Sequence, residues 1–463
     1  MSTAVEDRRM LTGQDIVEGL GPSLRAHRLP AGRCVFPRVV VDSREAGPGD
    51  LFVALRGEHH DGHDFIPDAV ARGAAGVLAS RAVAVPEGVA FFQVPDVLSA
   101  LQGLARWWRA RHDVRVVGIT GSVGKTGTKE FVAAVLGQRF RVLKSPGNRN
   151  NEIGLPLALL SLTPEHQRAV LEMGMYALGE ISALCRMARP AVGVVTSVRP
   201  VHLERLGTLD AIARAKQELP QSLPPDGWAV LNGDDALVAS MALRTPARVL
   251  LYGTGPECDV RGTDVELAGL EAVRFTLHYR GARESVEVRQ PGRPGLYGAL
   301  AAAAVALTEG LPLTEVAALL RAARPEGRLR LVAGVHGSTL LDDTYNASPD
   351  SVLAALELLE QAPGRKIAVL GDMLELGSEE RRGHETVGRR AAGVVDWLVT
   401  VGPRGRIIAE AARAAGLRRV SVCETGDEAE RLLRTGIRAG DHVLLKASRG
   451  VALDALVARL RAD

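Results

Sequence analysis

Lys125 and Thr126 stand side by side straight after a glycine-rich turn. The stretch from Val114 to Glu130 reads VRVVGITGSVGKTGTKE: a β-branched apolar run, then glycines, then Lys-Thr, then a helical pattern. A buried strand that feeds a tight turn opening a helix presents backbone N–H groups and the positive helix end to an anion. Gly121 and Gly124 let that backbone approach a phosphate, where a Cβ would crowd it. Lys125 can neutralise β/γ-phosphate oxygens, and the Thr126 hydroxyl can hold Mg²⁺. The general P-loop spacing places its first glycine at position 119, which is Ile119 here; the glycine sits one place earlier, at Gly118. A glycine-rich turn that binds nothing is the bland alternative, and it leaves Lys-Thr directly after strand–Gly–Gly without a reason.

Three further residues have chemical types that suit such a site. Glu172 ends an apolar run, Ala169–Leu171, and a carboxylate at a strand tip beside a P-loop is where a further Mg²⁺ contact is needed; a helix-capping acid fits the place as well. His202 follows the run Val192–Thr196, close to Glu204, and reads either as a ligand or as a satisfied loop histidine. Lys216 lies in a helical pattern, Asp210 to Leu219, and spacing alone makes it a solvated surface lysine.

Strands and helices must alternate to hold these groups. Apolar runs recur at Val114–Ile119, Ala169–Leu171, Val192–Thr196, Ala229–Leu231 and Val249–Tyr252, with helical patterns between most of them. This is the signature of a mainly parallel sheet with helices on both faces, which binds ligands at the carboxyl ends of its strands. A smaller α/β unit precedes it, with strands at Val39–Val41, Asp50–Leu55 and Gly76–Ala79 and helices at Phe65–Ala75 and Val97–Arg111. Its loop GEHHDGHDF, Gly57 to Phe65, crowds three histidines without helical metal-ligand spacing; a polar loop lining a ligand pocket is the expectation. A Rossmann-like third unit has strands at Thr339–Leu341, Ile367–Leu370, Trp397–Val401 and His442–Leu445, and lacks a Gly-x-Gly-x-x-Gly opening. The fold class is therefore α/β with three domains, at residues 1–112, 113–324 and 325–463, in line with a length of 463 residues.

Composition narrows the function classes. A formal charge of +3, scattered along the chain, is no footprint for nucleic acid. Cys34, Cys185, Cys258 and Cys423 have no C-x-x-C spacing, so free thiols in a reducing compartment are expected. The start of the chain has no signal-peptide apolar region, and the run Ala299–Leu307 is too short for a bilayer, which points to the cytoplasm without membrane insertion.

Several separated stretches together resemble the ATP-dependent Mur ligases: DSREAGPGDLFVALRGEHHDGHDF from Asp42, GITGSVGKTGTKE from Gly118, PGNRNNEIGLP from Pro146 and EMG from Glu172. HLE from His202, ARAK from Ala213, DDTYNASPDS from Asp342, GDMLELG from Gly371 and KASR from Lys446 complete them. The resemblance implies a UDP-sugar-binding first domain, a central ATPase domain, and a third domain that binds an incoming dipeptide and closes over ATP. It implies ATP contacts at Thr120, Gly121, Ser122, Gly124, Lys125 and Thr126, and from the third domain at Arg328, Asp343 and Asn346. Substrate contacts are implied at Ser43, Arg44, Asn148, Asn150 and Asn151. Two Mg²⁺ ions are implied, with Thr126, Glu172, His202 and a carbamylated Lys216 as ligands; that modification turns a cation into an anion and reverses the surface reading of Lys216. The implied substrates are a UDP-muramoyl-peptide and, from GDMLELG and the absence of Asp-Asn-Pro-Arg, D-alanyl-D-alanine; the implied state is a monomer.

The chain departs from the family's usual residues at Gly127, at Met175-Tyr176-Ala177, at Pro294-Gly295 with Gly298, and at Ser348. The chemistry implied is amide formation through an acyl phosphate, with Lys125, His202 and Lys216 at its centre. A ligase of the same mechanism for another amino acid or acceptor, and a P-loop ATPase that makes no amide, are the alternatives; the second leaves the Asn-rich loop and the third unit's loops without a role.

Overall fold

The computed structural model describes residues 10–32, 34–57, 59–200, 206–326 and 329–462. His202 and Arg328, both expected at the site, lie outside the described residues.

The first unit is built on a five-stranded sheet in the order Ala26–Arg28, Ala90–Gln93, Gly76–Ala79, Leu51–Val53, Val39–Val40. Every neighbouring pair is parallel except the Ala26–Arg28 edge. Leu51, Phe52, Val53, Val77 and Leu78 are completely buried, which is why these short apolar runs read as strands. A small antiparallel pair, Leu11–Thr12 with Val35–Phe36, was not foreseen. The helix Val97–Ala110 starts where the Asp96 side chain accepts a hydrogen bond from the Ser99 N–H. It turns Leu101, Leu104 and Trp108 inward, and the Trp108 indole donates to the Leu162 carbonyl at 3.0 Å, bolting the first unit to the second.

The central sheet has nine strands, ordered Val142–Lys144, Arg168–Glu172, Arg115–Thr120, Val192–Val195, Trp228–Asn232, Arg248–Gly253, Val260–Ala268, Ala272–Tyr279, Ala282–Val288. Neighbours are parallel as far as Val260–Ala268, and the last two strands are added antiparallel. Five of the parallel strands are the apolar runs seen in the sequence, with ends that differ by one residue; the edge strand Val142–Lys144 and the strand Val260–Ala268 were not foreseen. The antiparallel strands escaped the sequence reading because they alternate buried and charged residues, as in Phe275 against Arg274, and carry a register shift between Thr263 and Glu266. The helix Gly292–Thr308 lies against the helix Lys125–Leu136. Gly298 is placed so that a Cβ would enter the Phe131 ring, and one at Gly295 would enter the Gln290 carbonyl. These two departures from the family's usual residues are thus packing positions.

The third unit carries six strands in the order Arg330–Gly334, Ser338–Asp342, His442–Lys446, Lys366–Gly371, Trp397–Val401, Val420–Cys423, parallel except for the first edge. Its two polar loops, from Asp342 and from Gly371, leave the carboxyl ends of neighbours of the His442–Lys446 strand. Among the described residues, no helix is long and apolar enough to cross a membrane.

Candidate functional site

The strand Arg115–Thr120 runs up the middle of the central sheet and delivers its chain to the carboxyl edge. There Gly121 and Gly124 adopt φ of 150° and 88°, open to glycine and strained for other residues. A Cβ at Gly121 would overlap the Thr196 hydroxyl oxygen. The helix Lys125–Leu136 begins at Gly124 with no side-chain cap and turns its positive end toward the cavity. Gly127 has open space where a Cβ would stand. The first half of the loop is held differently. The Ser122 N–H donates to the Ser197 carbonyl at 2.8 Å, and the Val123 N–H to Ser197 Oγ at 3.0 Å. Thr196 Oγ1 donates to the Val123 carbonyl at 2.6 Å. Ser122 lines the cavity, but its own N–H is spent on this neighbouring loop.

Parallel register places Glu172 opposite Ile119, at the same edge as the loop. Glu172 is 1 % exposed; Thr126 Oγ1 donates to Oε2 at 2.8 Å and Asn150 Nδ2 to Oε1 at 2.8 Å. No cation pairs with it among the described residues. A buried carboxylate bonded only to neutral donors carries an uncompensated charge. The Asn-rich loop is fixed from below. Lys129, completely buried, donates to the carbonyls of Ser145 and Gly147 at 2.8 and 3.0 Å. Asn151 Oδ1 accepts from the Gly154 N–H at 2.9 Å and so starts the helix Gly154–Leu159.

Lys216 is on the inner face of the helix Leu209–Gln221, which begins at a Thr208 side-chain cap. It is 2 % exposed, lines the same cavity, and has no hydrogen-bond partner among the described residues. Burial, reinforced by the nearby Lys125 cation, holds its amine well below the ordinary lysine range. The surface expectation for this residue is overturned, because the helix turns this position toward the strand ends. Lys125 folds back over the loop, donating to the Gly121 carbonyl at 2.7 Å.

The third unit closes the other wall with Asp343, Asn346, Ser348 and Asp350. Lys446, at the end of its strand, donates to Asp343 Oδ2 at 2.5 Å and to the Asn346 carbonyl at 2.9 Å, and so fixes the loop that carries both expected residues. Glu375, at φ 64°, Tyr345 and Tyr176 also line the cavity and were missed as site residues, for their roles depend on a fold that joins distant loops. Pro291, Gly292 and Pro294 supply a less polar stretch of wall.

The cavity thus gathers Gly121, Ser122, Gly124, Lys125, Thr126, Asn148, Asn150, Asn151, Glu172, Lys216, Asp343 and Asn346. It leaves out Thr120, Ser43 and Arg44. Thr120 is completely buried inside the sheet beneath the loop, so its side chain does not reach the phosphate-binding side. Ser43 is buried in the first unit with its hydroxyl on Asp68, and Arg44 is tied to Asp42 at 2.6 Å, holding that carboxyl down at about 2. The short helix Ser43–Glu45 nevertheless faces the Asn-rich loop, for Arg149 bonds Glu45 at 3.2 Å. The histidine loop does not line this cavity. His63 is buried between Asp61, at 2.6 Å from Nδ1, and the Ser80 N–H, which donates to Nε2 at 2.9 Å. With its ring lone pair occupied, His63 acts as a brace between loop and strand end.

An anion-binding loop, a buried carboxylate with no cation paired to it among the described residues, and a buried amine of lowered basicity around one cavity suit a nucleoside triphosphate with divalent cations. Comparison with known proteins agrees. The model of the Mur ligase family catalytic domain matches residues 37–109, the Mur ligase middle domain 119–306, and the Mur ligase glutamate ligase domain 327–449. The chain is 40% identical over 495 residues to the UDP-N-acetylmuramoyl-tripeptide–D-alanyl-D-alanine ligase of Mycobacterium tuberculosis, covering 96% of this chain and 95% of that one. It is 34% identical over 433 residues to the enzyme of the same name from Escherichia coli, covering 91% and 93%. A crystal structure of MurF from Acinetobacter baumannii superposes with a TM-score of 0.86 at 31% identity, covering 98% of this chain and 99% of that one. MurF ligase from Thermotoga maritima in complex with ADP superposes with 0.77 at 31% identity, covering 91% and 96%.

Proposed function

The chain belongs to the Mur ligase family, and we propose that it joins D-alanyl-D-alanine to UDP-N-acetylmuramoyl-tripeptide in an ATP-dependent, amide-forming step of peptidoglycan precursor synthesis. The observation that carries this reading is the single cavity in which the P-loop, the Asn-rich loop and the third unit's strand-end loops meet. Near-complete coverage by relatives of that name supports it.

The reaction has two steps. A carboxylate oxygen of the tripeptide attacks the γ-phosphorus of ATP, the bond to the β-phosphate oxygen breaks, and ADP leaves an acyl phosphate. The D-alanyl-D-alanine amine then attacks the acyl carbon, phosphate departs, and the nitrogen loses a proton. Both steps bring anions together, so charge must be neutralised in place. The positive end of the Lys125–Leu136 helix takes the phosphates, and Lys125, released from the Gly121 carbonyl, reaches the β/γ oxygens. The buried Glu172 beside Thr126 fits a divalent cation, since among the described residues it forms no ion pair. Mg²⁺ held by Thr126 and Glu172, and a second ion held by His202 and Lys216, would supply charge neutralisation between the phosphates and the acceptor carboxylate. Burial favours the unprotonated form of the Lys216 amine, and in that form it can add to CO₂: a nitrogen–carbon bond forms, a proton leaves, and the carbamate is an anion suited to that second ion.

In this reading the first unit takes the UDP-sugar near Ser43 and Arg44, and Asn148, Asn150 and Asn151 meet the peptide. The third unit takes the dipeptide and closes on ATP through Arg328, Asp343 and Asn346. The enzyme works as a monomer in the cytoplasm. Mass spectrometry after incubation with ATP, Mg²⁺, UDP-muramoyl-tripeptide and D-alanyl-D-alanine should show the pentapeptide product, ADP and phosphate. Product with another amine and none with D-alanyl-D-alanine would replace this substrate; ATP hydrolysis without any amide would replace the reading altogether.

A further inference from the structure

Arg199 lies between two parts of the cavity wall that belong to different units. Its backbone grips the P-loop from outside: its N–H donates to Ser122 Oγ at 2.8 Å, and that hydroxyl donates to the Arg199 carbonyl at 3.1 Å. Within the central unit the guanidinium has one charged partner, besides the Val198 carbonyl to which Nη1 donates at 3.0 Å. Nη1 bonds Asp235 Oδ2 at 2.7 Å, and Asp235, with a side chain only 2 % exposed, also accepts from the Val198 N–H at 2.9 Å. The second partner comes from the third unit. Nε stands 3.4 Å from Asp350 Oδ2, and Asp350 sits in the first turn of the helix Pro349–Glu360 and lines the cavity.

The two carboxylates differ in kind. Asp235 is a central-unit residue and holds the guanidinium in place wherever the third unit stands. Asp350 is half exposed and can meet Arg199 only when the two units are docked. A planar fork with several donors can serve both at once, which a lysine ammonium on a shorter stem cannot. We propose that Arg199 is a positioning residue: a docking post, fixed by Asp235, through which Asp350 sets the third unit's cavity wall in register with the P-loop. Sequence spacing gave no sign of this, since each pair joins residues distant in the chain.

The proposal rests on the ligase reading for its kinetic assay. Arg199→Lys keeps a cation for Asp235, and Asp350→Asn keeps the shape of the helix start, so both variants retain the fold. Each should lower kcat/KM for ATP by about two- to fivefold, the range for half-exposed ion pairs. The double variant should be no worse than either single one, because both remove the same contact. ADP affinity by calorimetry should follow the same non-additive pattern. Unchanged values in Asp350→Asn, or losses that multiply in the double variant, overturn the docking role and leave Arg199 as a support for its own loop. A wild type that binds ADP but forms no amide would sink the ligase reading, while the ADP titrations would still decide the fate of the Arg199–Asp350 contact.

Discussion

Two lysines line the same cavity, each 2 % exposed, and they behave in opposite ways. Lys446, from the third unit, has its charge met by Asp343 and donates a second hydrogen bond to the Asn346 carbonyl. Lys216, from the central unit, has no hydrogen-bond partner among the described residues and a like charge, Lys125, near enough to depress its proton affinity. Burial is the same in both; partnership is what differs. A buried ion with its counter-ion fixes a loop, whereas a buried amine without one is held in readiness for something absent from the chain itself. Glu172 repeats the second pattern with the opposite sign. The groups without a counter-ion among the described residues cluster at the central sheet's edge, and that is where ligands belong.

The widest gap between the lysines should appear in turnover. Lys216→Ala should remain folded and lose nearly all ligase activity, by about 3 kcal/mol or more in the transition state, as for removal of a preorganised charge contact. A short carboxylate added to the assay should restore part of it. Full activity in this variant would make Lys216 an ordinary buried lysine. Stability should separate the pair the other way. Lys446→Met leaves Asp343 without its cation and should cost about 3–5 kcal/mol in denaturant unfolding. Lys216→Met should cost nothing comparable, since it removes an amine whose burial is unfavourable. Equal losses in the two variants would erase the distinction.

The smallest effect is in pH. The unfolded chain protonates Lys216 near the ordinary lysine value of 10.5, and the folded protein does so only well below it. Between those two points the unfolded state binds more protons, so stability rises with pH. The contribution is at most about 1.4 kcal/mol per pH unit. Lys216→Met should lose this part of the slope and Lys446→Met should keep it. Lys125→Met should narrow the window from its lower end, because removing that cation raises the folded value. A wild type and a Lys216→Met variant with parallel stability–pH curves would contradict the lowered basicity of the Lys216 amine.

What the sequence revealed follows the range over which each signal acts. Strands such as Arg115–Thr120 and Val192–Val195 are buried on both faces, and a run of apolar residues is a local trace of that burial. The P-loop was legible for the same reason: its strand, glycines and Lys-Thr are contiguous. The strands from Val260 to Val288 wear charge on one face, so their hydrophobic signal is halved. Lys216 could not be told from a surface lysine, for nothing within its helix reports which face the sheet covers. The Lys446–Asp343 and Arg199–Asp350 pairs were invisible because each is a fact about two loops meeting.

Gly121 and Thr196 share a space that holds only one of two things, a hydroxyl or a Cβ. The hydroxyl is already committed, tying the neighbouring loop to the Val123 carbonyl. A side chain at 121 is therefore open to descendants of this sequence only after Thr196 has changed, and that earlier change loosens the P-loop on which survival of the activity depends. The two positions are bound into one heritable unit, although far apart in the gene. A P-loop transplanted from a relative into this scaffold would have to arrive together with its partner loop.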